Sequence, residues 1–486
     1  MKRLISALLI MLLGAACAVA ELPQPEMSGQ EMIIGERTGD YYAEVKLYYE
    51  SGNGMELTGI TRNVYVPAGG SLVNAALYEL FALGDDQDFI SAMPGDASIR
   101  SIQFGCGVVT VDLTVNMAGL KDEGELVAMY MAVANTLAGI DGVEYVNILI
   151  NSRSESICTL PVGALSYDET AASTRWSMLQ AEYDNFNASD NDFSMTRDVV
   201  LYFPSVNGQW ILPEVRRITF SDTSYIEQLL SALMDGPEWG SAYSGFISSG
   251  ANILANMPSV YVAANGERIL EIPFSGIVRD YLILQDIPEW QFAASVVMTM
   301  TSFVPEIDAV KISMDGEVVT KLNIKGNFKT FDDGIMKRDT FNMYVGSVST
   351  LYFCGESGEL CAVQRAMSSG RALSPYAIMT QLIAGPSSTD VDAIRTMPAG
   401  VTSGDLLGVS VADGIATVNM SADFYRLCQT LSPEEERNLV YSIVNTLCEL
   451  PDVYAVSFRI EGERVDTLAG TIYIFDYLLP NPGIIQ

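Results

Sequence analysis

Histidine is absent from all 486 residues of the chain. Its absence excludes Ser-His-Asp and Cys-His catalysis, removes a common ligand of zinc, and leaves no side chain that ordinarily titrates near neutral pH. No G-x-S-x-G, Walker or G-x-G-x-x-G sequence is present either. The sequence therefore predicts no catalytic centre of these kinds, no metal site and no cofactor.

Positive charge is scarce. The chain has 27 Lys and Arg against 60 Asp and Glu, so its formal net charge is −33. Such a surface repels nucleic-acid backbones and anionic lipid head groups, and it is typical of a protein kept soluble by its charge. One local positive segment, residues 321–338, contains Lys321, Lys325, Lys329, Lys337 and Arg338. We interpret it as a solvated connector, with docking of an acidic partner as the alternative.

Long apolar runs are lacking too, since none approaches the ~20 residues of a membrane span. Met1-Lys2-Arg3, an apolar stretch over 4–13 and the small residues that follow are typical of a signal peptide over residues 1–20. Leu13-Gly14-Ala15-Ala16-Cys17 is similar to a bacterial lipobox, although Leu13 lies one position early, and it predicts lipidation of Cys17. Cleavage after Ala20 is the alternative.

The polar residues 21–39 would then form a tether. Either cleavage predicts an extracytoplasmic protein. It would be a membrane-anchored lipoprotein if Cys17 is lipidated, and a secreted protein otherwise.

The chain repeats one pattern three times. Leu47-Tyr48-Tyr49 returns as Leu201-Tyr202-Phe203 and as Leu351-Tyr352-Phe353, and each is followed by a Met-Pro pair: Met93-Pro94, Met257-Pro258 and Met397-Pro398. The period is that of a small domain rather than a solenoid unit. We therefore predict three homologous domains over residues 40–168, 195–337 and 340–486, called copies 1, 2 and 3 below, with a linker over 169–194.

The sequence pattern of each copy predicts secondary-structure elements in the order strand, helix, hairpin, helix, strand. In copy 3, Ser374-Pro375 begins a helix, Asp413-Gly414 forms a hairpin turn, and Ser432-Pro433-Glu434-Glu435 is a capping box. The predicted hairpin pairs in copies 1 to 3 are, in turn, Phe104–Val109 and Ile102–Val111; Val262–Ile269; and Val411–Ala416, Val409–Val418 and Leu407–Met420. The fold class is α+β, with two helices packed on one face of a small mixed sheet in each copy.

Cysteines are unevenly distributed. Apart from Cys17, copy 1 has two, copy 2 has none and copy 3 has four. Disulfides therefore cannot be what holds the common fold together. Cys354 and Cys361 flank a turn-rich stretch, so a bridge between them is one prediction and free thiols are the other.

Carboxylate clusters are the remaining candidates for catalysis, because two carboxylates suffice for glycoside hydrolysis. No cluster recurs at one place in all three copies, and each lies in a loop or at a helix start. Asp190-Asn191-Asp192 lacks the glycine and distal glutamate of a calcium loop. The four clusters are Asp85-Asp86-Asp88, Asp190-Asn191-Asp192, Asp332-Asp333 and Glu434-Glu435-Glu436.

The ordered set of motifs resembles the GerMN domain of sporulation and spore-germination proteins. Copy 1 has Leu83-Gly84-Asp85 in place of the Gly-Pro pair, and copy 2 has Met300-Thr301 in place of Asn-Thr. In copy 3 the set comprises Leu351-Tyr352-Phe353, Ala384-Gly385-Pro386, Met397-Pro398, Asp413-Gly414, the run from Val418 to Ser421, and Val444-Asn445-Thr446-Leu447.

The resemblance implies an exported or lipid-anchored envelope protein that is not an enzyme and acts as a scaffold or binding module. Its implied partners are envelope proteins or cell-wall polymer. No nucleic acid is expected, and the membrane is contacted only through an N-terminal lipid anchor. The alternative function is a carboxylate-dependent cell-wall glycan hydrolase.

Overall fold

The structure is a computed structural model that describes residues 41–51, 56–67, 70–82, 89–188, 194–238, 240–246, 253–390, 392–451 and 453–486. The predicted signal peptide, Cys17 and the tether lie outside these residues. So do the Leu83-Gly84-Asp85 motif and the clusters Asp85-Asp86-Asp88 and Asp190-Asn191-Asp192. Within the described ranges, no helix is both long and apolar enough to cross a bilayer.

Copy 1 combines three small sheets, of three, three and two strands, with two helices, which confirms the predicted α+β class. A long hairpin is followed by a helix, a second hairpin, a second helix and a closing strand. The elements are β1 (Tyr41–Ser51), β2 (Leu57–Val66), α1 (Leu72–Ala82), β3 (Phe89–Ile90), β4 (Ser98–Gly105), β5 (Val108–Thr114), α2 (Glu123–Ala138), β6 (Tyr145–Ile150), β7 (Ser156–Ile157) and β8 (Leu160–Pro161).

Helix α3 (Ala172–Ala188) lies inside the predicted linker and connects copies 1 and 2. Copy 2 repeats the plan of copy 1 and adds a further helix and hairpin. Its elements are β9 (Met195–Pro204), β10 (Ile211–Phe220), α4 (Tyr225–Met234), β11 (Ser259–Val262), β12 (Arg268–Phe274), α5 (Ile277–Leu284), α6 (Glu289–Phe303), β13 (Ala309–Met314), β14 (Glu317–Val318), β15 (Lys321–Ile324), β16 (Asn327–Thr330) and β17 (Ile335–Met336).

Copy 3 repeats the plan again. Its elements are β18 (Gly346–Gly355), β19 (Leu360–Ser368), α7 (Ser369–Ala372), α8 (Pro375–Ala384), β20 (Ala393–Ile394), β21 (Leu406–Ala412), β22 (Ile415–Met420), α9 (Ala422–Cys428), α10 (Pro433–Leu447) and β23 (Ala455–Ile460). Ser374 caps α8, and Ser432 with Glu435 forms the predicted capping box of α10. Both helix starts are confirmed.

Each copy has a second long strand, directly after the predicted first strand, that the predicted order lacks. β2, β10 and β19 pair antiparallel with β1, β9 and β18, so the predicted first strand is half of a long hairpin. The second sheet joins the later hairpin to the closing strand by parallel pairing of β5 with β6, β12 with β13 and β22 with β23. A crossover helix makes that parallel pairing possible.

The helix between the later hairpin and the closing strand, called the enclosed helix below, is α2, α6 or α10, and in copies 1 and 2 it is buried almost all round. In α2, residues 126–137 are all buried, and in α6 residues 290–303 are. Such a pattern is typical of a helix packed on several sides rather than on one. The structure accordingly places α2 in contact with both β1 and β6, which belong to different sheets.

Most hairpin registers are as predicted, and two are wrong. The copy 1 pairs and the Val411–Ala416 and Val409–Val418 pairs are confirmed. Leu406, not Leu407, lies opposite Met420, because a β-bulge leaves Leu407 out of the pairing and exposed. In copy 2, Tyr261 rather than Val262 lies opposite Ile269, because the turn is longer than the two residues expected.

Candidate functional site

One hydrogen bond recurs in all three copies. The backbone N–H of the tyrosine in each Leu-Tyr-aromatic motif donates to a threonine Oγ1 on the enclosed helix. The bonds are Tyr48 to Thr136 at 3.2 Å, Tyr202 to Thr299 at 3.0 Å and Tyr352 to Thr446 at 2.9 Å, all buried. Each threonine thus satisfies a strand N–H that would otherwise be costly to bury.

This contact corrects the motif assigned to copy 2. Thr299, not Thr301, is equivalent to Thr136 and Thr446, so Met298-Thr299 stands where the other copies have Asn-Thr. Thr301 Oγ1 instead donates to Val297 O within its own helix at 2.8 Å. The sequence offered both threonines two residues apart, and only the packing of α6 on β9 distinguishes them.

The asparagine that precedes this threonine fastens a return segment that follows the closing strand. In copy 1, Asn135 and the backbone of Asp168 exchange two hydrogen bonds of 2.7 and 2.9 Å. In copy 3, Asn445 and the backbone of Asn481 exchange two of 3.2 and 2.8 Å. Copy 2 lacks this amide.

In place of that asparagine, Arg338, directly after copy 2, binds the enclosed helix of copy 2. Its guanidinium donates to Met298 O at 3.0 Å, to Ser302 Oγ at 2.7 Å and to the Tyr202 hydroxyl at 2.9 Å, and the side chain is only 2% exposed. The interpretation of residues 321–338 as a solvated connector is therefore wrong for Arg338. Three of the five N–H donors of this guanidinium thereby have fixed acceptors in a buried site.

A second recurring residue is an arginine on the outer strand of each long hairpin. Arg62, Arg216 and Arg365 occupy the same register, opposite Val45, Val199 and Ser349. These arginines are not predicted from the sequence, because the strands that carry them are not predicted either. The only signal in the sequence was an arginine 14 or 15 residues after the leucine of each Leu-Tyr-aromatic motif.

In copies 2 and 3 this arginine closes the carboxyl end of the first helix. Arg216 donates to Ala232 O and Gly236 O at 3.0 and 2.7 Å, and Arg365 to Gln381 O and Gly385 O at 3.4 and 3.2 Å. Each guanidinium carbon lies 5.7 Å from an aromatic ring, of Phe203 and Phe353 respectively. Cations at a helix carboxyl end are favourable, so the role is structural.

The three copies meet at a common junction, and each contacts both others. The backbone N–H of Cys106, in the turn between β4 and β5, donates to Ser347 Oγ of copy 3 at 3.0 Å. Asn207 of copy 2 donates to Ala366 O of copy 3 at 2.9 Å. Leu212, Ala242 and Ala366 form a small apolar cluster there, against which Cys106 packs. Burial raises the pKa of the Cys106 thiol, so it stays protonated.

Ion pairs and backbone hydrogen bonds join copies 1 and 2. Arg153 of copy 1 pairs with Asp308 of copy 2 at 3.3 Å, and Arg100 of copy 1 pairs with Asp339, just after copy 2, at 2.7 Å. The backbone of Ser154 donates to Thr301 O at 3.1 Å and accepts from Glu306 N–H at 2.8 Å. These contacts fix the relative placement of the two copies rather than leaving a free hinge.

One cleft of about 720 Å³ in copy 1 is lined by three carboxylates, Glu50, Asp96 and Glu125, beside Met93 and Lys121. Burial, with help from the charge of Glu125, raises the pKa of Glu50. A hydrogen bond from Lys121 lowers the pKa of Glu125, and their ion pair measures 2.8 Å. Carboxyl pKa values pushed apart are what an acid–base pair requires.

A second cleft, of about 430 Å³, lies between copies 2 and 3. Amide and hydroxyl side chains line it beside the Arg365–Asp390 ion pair of 2.5 Å. Asn207 and Gln381 stand on opposite sides of it. Its lining is mixed, because apolar residues such as Val206 and Val363 line it as well.

The two acidic clusters inside the described ranges differ in role. Asp332-Asp333 lies in a 3-10 turn. Glu436 is fully buried and accepts four backbone N–H bonds, from Leu468, Ala469, Thr471 and Ile472, at 2.6 to 3.3 Å. It therefore holds the segment after β23 onto α10 and has no lone pair left for catalysis.

All six described cysteines are free thiols. Cys361 lies opposite Phe353 and Cys354 opposite Leu360, so the two are diagonal neighbours on paired strands. Their disulfide stays a prediction. Among the described residues, no group of acidic and cysteine side chains is arranged to hold a metal ion.

A family model described as "Germane: Sporulation and spore germination" matches the chain three times, over residues 46–155, 200–320 and 350–466. No curated protein sequence gives a significant match.

Solved structures similar to this chain come from two bacteria. The tandem GerMN domains of the sporulation protein GerM from Bacillus subtilis are 19% identical, cover 59% of this chain and 98% of their own, and give a TM-score of 0.24. A putative lipoprotein from Clostridium perfringens is 23% identical, with coverages of 28% and 87% and a TM-score of 0.20. The first GerMN domain of GerM is 20% identical, with coverages of 29% and 98% and a TM-score of 0.20.

Fold and contacts define a triplicated α+β protein in which each copy is fastened by a strand-to-helix hydrogen bond. The family model covers most of the chain in three matches. The chain belongs to the Germane family of sporulation and spore germination, which confirms the predicted GerMN resemblance.

Proposed function

We propose that the chain is a non-catalytic protein of the cell envelope that serves sporulation or germination as a scaffold or binding module. The proposal is based on the hydrogen bonds of the polar residues that recur in the copies, which are made within the fold. The threonines accept from strand N–H groups in all three copies, and Arg216 and Arg365 donate to helix carbonyls. These groups are engaged in holding the fold and are not displayed to a substrate.

The way the copies are joined supports a scaffold. Contacts such as Cys106–Ser347 and Asn207–Ala366 hold three similar surfaces in fixed relative positions. Fixed multiple surfaces raise the effective concentration of a bound partner, whereas three imperfect copies add little to catalysis. The partners would be envelope proteins or cell-wall polymer.

Location is tested through Cys17, which we propose as the lipidated residue. Replacing Cys17→Ala should move the protein from the membrane fraction to the soluble extracytoplasmic fraction, because the lipid anchor is lost. Cys158→Ala is the matched control and should leave fractionation unchanged. Unchanged fractionation of both variants would favour cleavage after Ala20.

The cellular role is tested by deleting the gene in the organism that makes the chain. We expect fewer heat-resistant spores or slower germination, restored by the wild-type gene. Wild-type spore yield and germination rate in the deletion strain would contradict the proposal.

A carboxylate-dependent cell-wall glycan hydrolase is the second candidate, favoured by the copy 1 cleft. There the pKa of Glu50 is raised and that of Glu125 lowered, as an acid and its partner would need. The test is release of reducing ends from peptidoglycan by residues 21–486. Release that is lost in both Glu50→Gln and Glu125→Gln would overturn the non-catalytic proposal.

A further inference from the structure

Residues 321–330 of copy 2 form a hairpin that differs in charge from the rest of the molecule. It comprises β15 and β16 joined by a turn at Lys325-Gly326, and we call it the basic hairpin. It carries Lys321, Lys325 and Lys329, and no Asp or Glu occurs from residue 318 to 331. In a chain with 60 acidic residues, this is a concentrated positive surface.

The three lysines lack carboxylate partners. Across the described part of the chain, ion pairs are formed by Lys121, Lys311 and Lys337, but not by Lys321, Lys325 or Lys329. Lys321 lies 4.1 Å from the centroid of the Phe328 ring, and Lys325 lies 3.8 Å from that of Trp210. Aromatic rings thus hold the ammonium groups of Lys321 and Lys325 in position, and no carboxylate neutralises the charge of any of the three lysines.

The hairpin is anchored on one side only. On β15, Leu322 and Ile324 are buried in the core of copy 2, and at the turn Lys325 packs on Trp210 and Tyr344. β16 is exposed at all four residues and pairs only with β15 among the described strands. Its outer edge is therefore a rigid row of backbone groups open to another strand.

Side-chain alternation defines what that edge would accept. Cross-strand pairing places Lys329 on the face of Leu322, and Phe328 on the opposite face with Asn323. A strand added beside β16 would meet a positive charge on one face and an aromatic ring, 67% exposed, on the other. The matching strand alternates acidic and apolar residues.

We propose that the basic hairpin is a docking site for an extended acidic segment of a partner protein, which adds as a strand to the free edge of β16. Its carboxylates face Lys329, and its apolar side chains pack on Phe328 on the opposite face, where Lys321 adds positive charge beside the same ring. A free edge favours a polypeptide over a wall polymer, because only a polypeptide supplies the backbone donors and acceptors.

The test uses a short synthetic peptide of alternating glutamate and valine, with binding to the purified chain measured by fluorescence anisotropy at low salt. Binding should weaken about tenfold in Lys321→Gln/Lys329→Gln and be retained in Lys321→Arg/Lys329→Arg. Lys311→Gln/Lys337→Gln is the control of equal charge change, because both lysines are already paired. Absence of binding to the wild-type chain, or equal binding by the glutamine variant, would overturn the proposal.

Two further probes separate the modes of binding. A peptide N-methylated on its edge-facing amides should lose affinity about tenfold, and undiminished binding would exclude strand addition. Poly(glycerol phosphate) that binds through the same lysines while the peptide does not would replace the protein partner by a wall polymer. This inference rests on the proposed binding role. If the peptide does not bind, the results of the fractionation and sporulation tests are unaffected, so the docking site and the proposed function can be refuted independently.

Discussion

Arg338 Nη2 donates a hydrogen bond of 2.9 Å to the Tyr202 hydroxyl, and the guanidinium carbon lies 5.4 Å from the centroid of the same ring. The equivalent hydroxyls use other partners, since Tyr352 donates to Glu449 Oε1 at 2.6 Å and Tyr48 bonds to Tyr167 at 2.6 Å. The backbone contact of this tyrosine is thus common to the copies, whereas its side-chain partner differs in each.

The strand-to-helix hydrogen bond of copy 3 should contribute measurably to the free energy of unfolding. Thr446→Val keeps the shape of the side chain but leaves the Tyr352 N–H buried without an acceptor, so we expect a loss of about 1–3 kcal/mol in the free energy of unfolding. Chemical denaturation gives this value. Thr430→Val, whose hydroxyl is exposed, is the control and should change stability by less than about 0.5 kcal/mol. Equal effects of the two changes would contradict a special role for Thr446.

Copy 3 should fold alone. Its main core, from Leu351 to Ile474, contains no residue of the other copies, whereas the core of copy 2 includes Val108, Leu160 and Ala164 of copy 1. Residues 340–486 expressed alone should therefore show one cooperative unfolding transition by circular dichroism. Residues 195–337 alone should be the less stable fragment. A gradual, non-cooperative melt of copy 3 would refute its independence.

Glu50 and Glu125 should affect stability with opposite signs. Because the folded-state pKa of Glu50 is raised, its ionised form disfavours the fold above that pKa, and the penalty disappears as the pH falls through it. Glu50→Gln should therefore stabilise the chain at neutral pH, by less than about 1 kcal/mol since the group is partly solvated, and have no effect below its ordinary pKa.

Glu125→Gln is the matched control for that experiment. The pKa of Glu125 is lowered, so its contribution is present at neutral pH and lost as the pH falls. Its replacement should slightly destabilise the chain at neutral pH. Thermal melts from acid to neutral pH distinguish the two variants, and a common sign would contradict the opposed environments.

The junction of the copies is sensitive to one methyl group. A Cβ on Gly105 would stand 2.4 Å from the carbonyl oxygen of Gly346, which is backbone and cannot move aside. Gly105→Ala should cost about 1–3 kcal/mol and expose the junction to limited proteolysis. Gly95→Ala, where nothing lies within 4 Å, should be neutral. Unchanged proteolysis of Gly105→Ala would indicate that the copies are not pressed together there.

Local signals were enough to predict much of the fold. Ser432 and Glu435 cap α10 as expected because capping depends on neighbours a few residues away. Asp413-Gly414 turns with positive φ at both residues, which is what that dipeptide favours in a two-residue hairpin. These features need no knowledge of the remaining chain.

Features set by tertiary packing were missed. β2 mixes apolar and polar residues and half of them are exposed, so its pattern does not identify a strand until its pairing with β1 is known. Leu407 alternates correctly, yet a bulge displaces it, and Arg338 reads as a surface cation although its acceptors, such as Met298 O and the Tyr202 hydroxyl, lie far away in sequence. The choice between Thr299 and Thr301 likewise depends on which one faces β9.

The bond between Cys106 of the first copy and Ser347 of the third has a consequence for how the chain could have grown. In an open array, a duplicated unit can be added at either end without disturbing its neighbours. Here the first and last units already cover each other, so a further unit would have to break that contact or remain outside the cluster. The Cys106–Ser347 contact therefore makes these three copies a closed group in which each contacts both others.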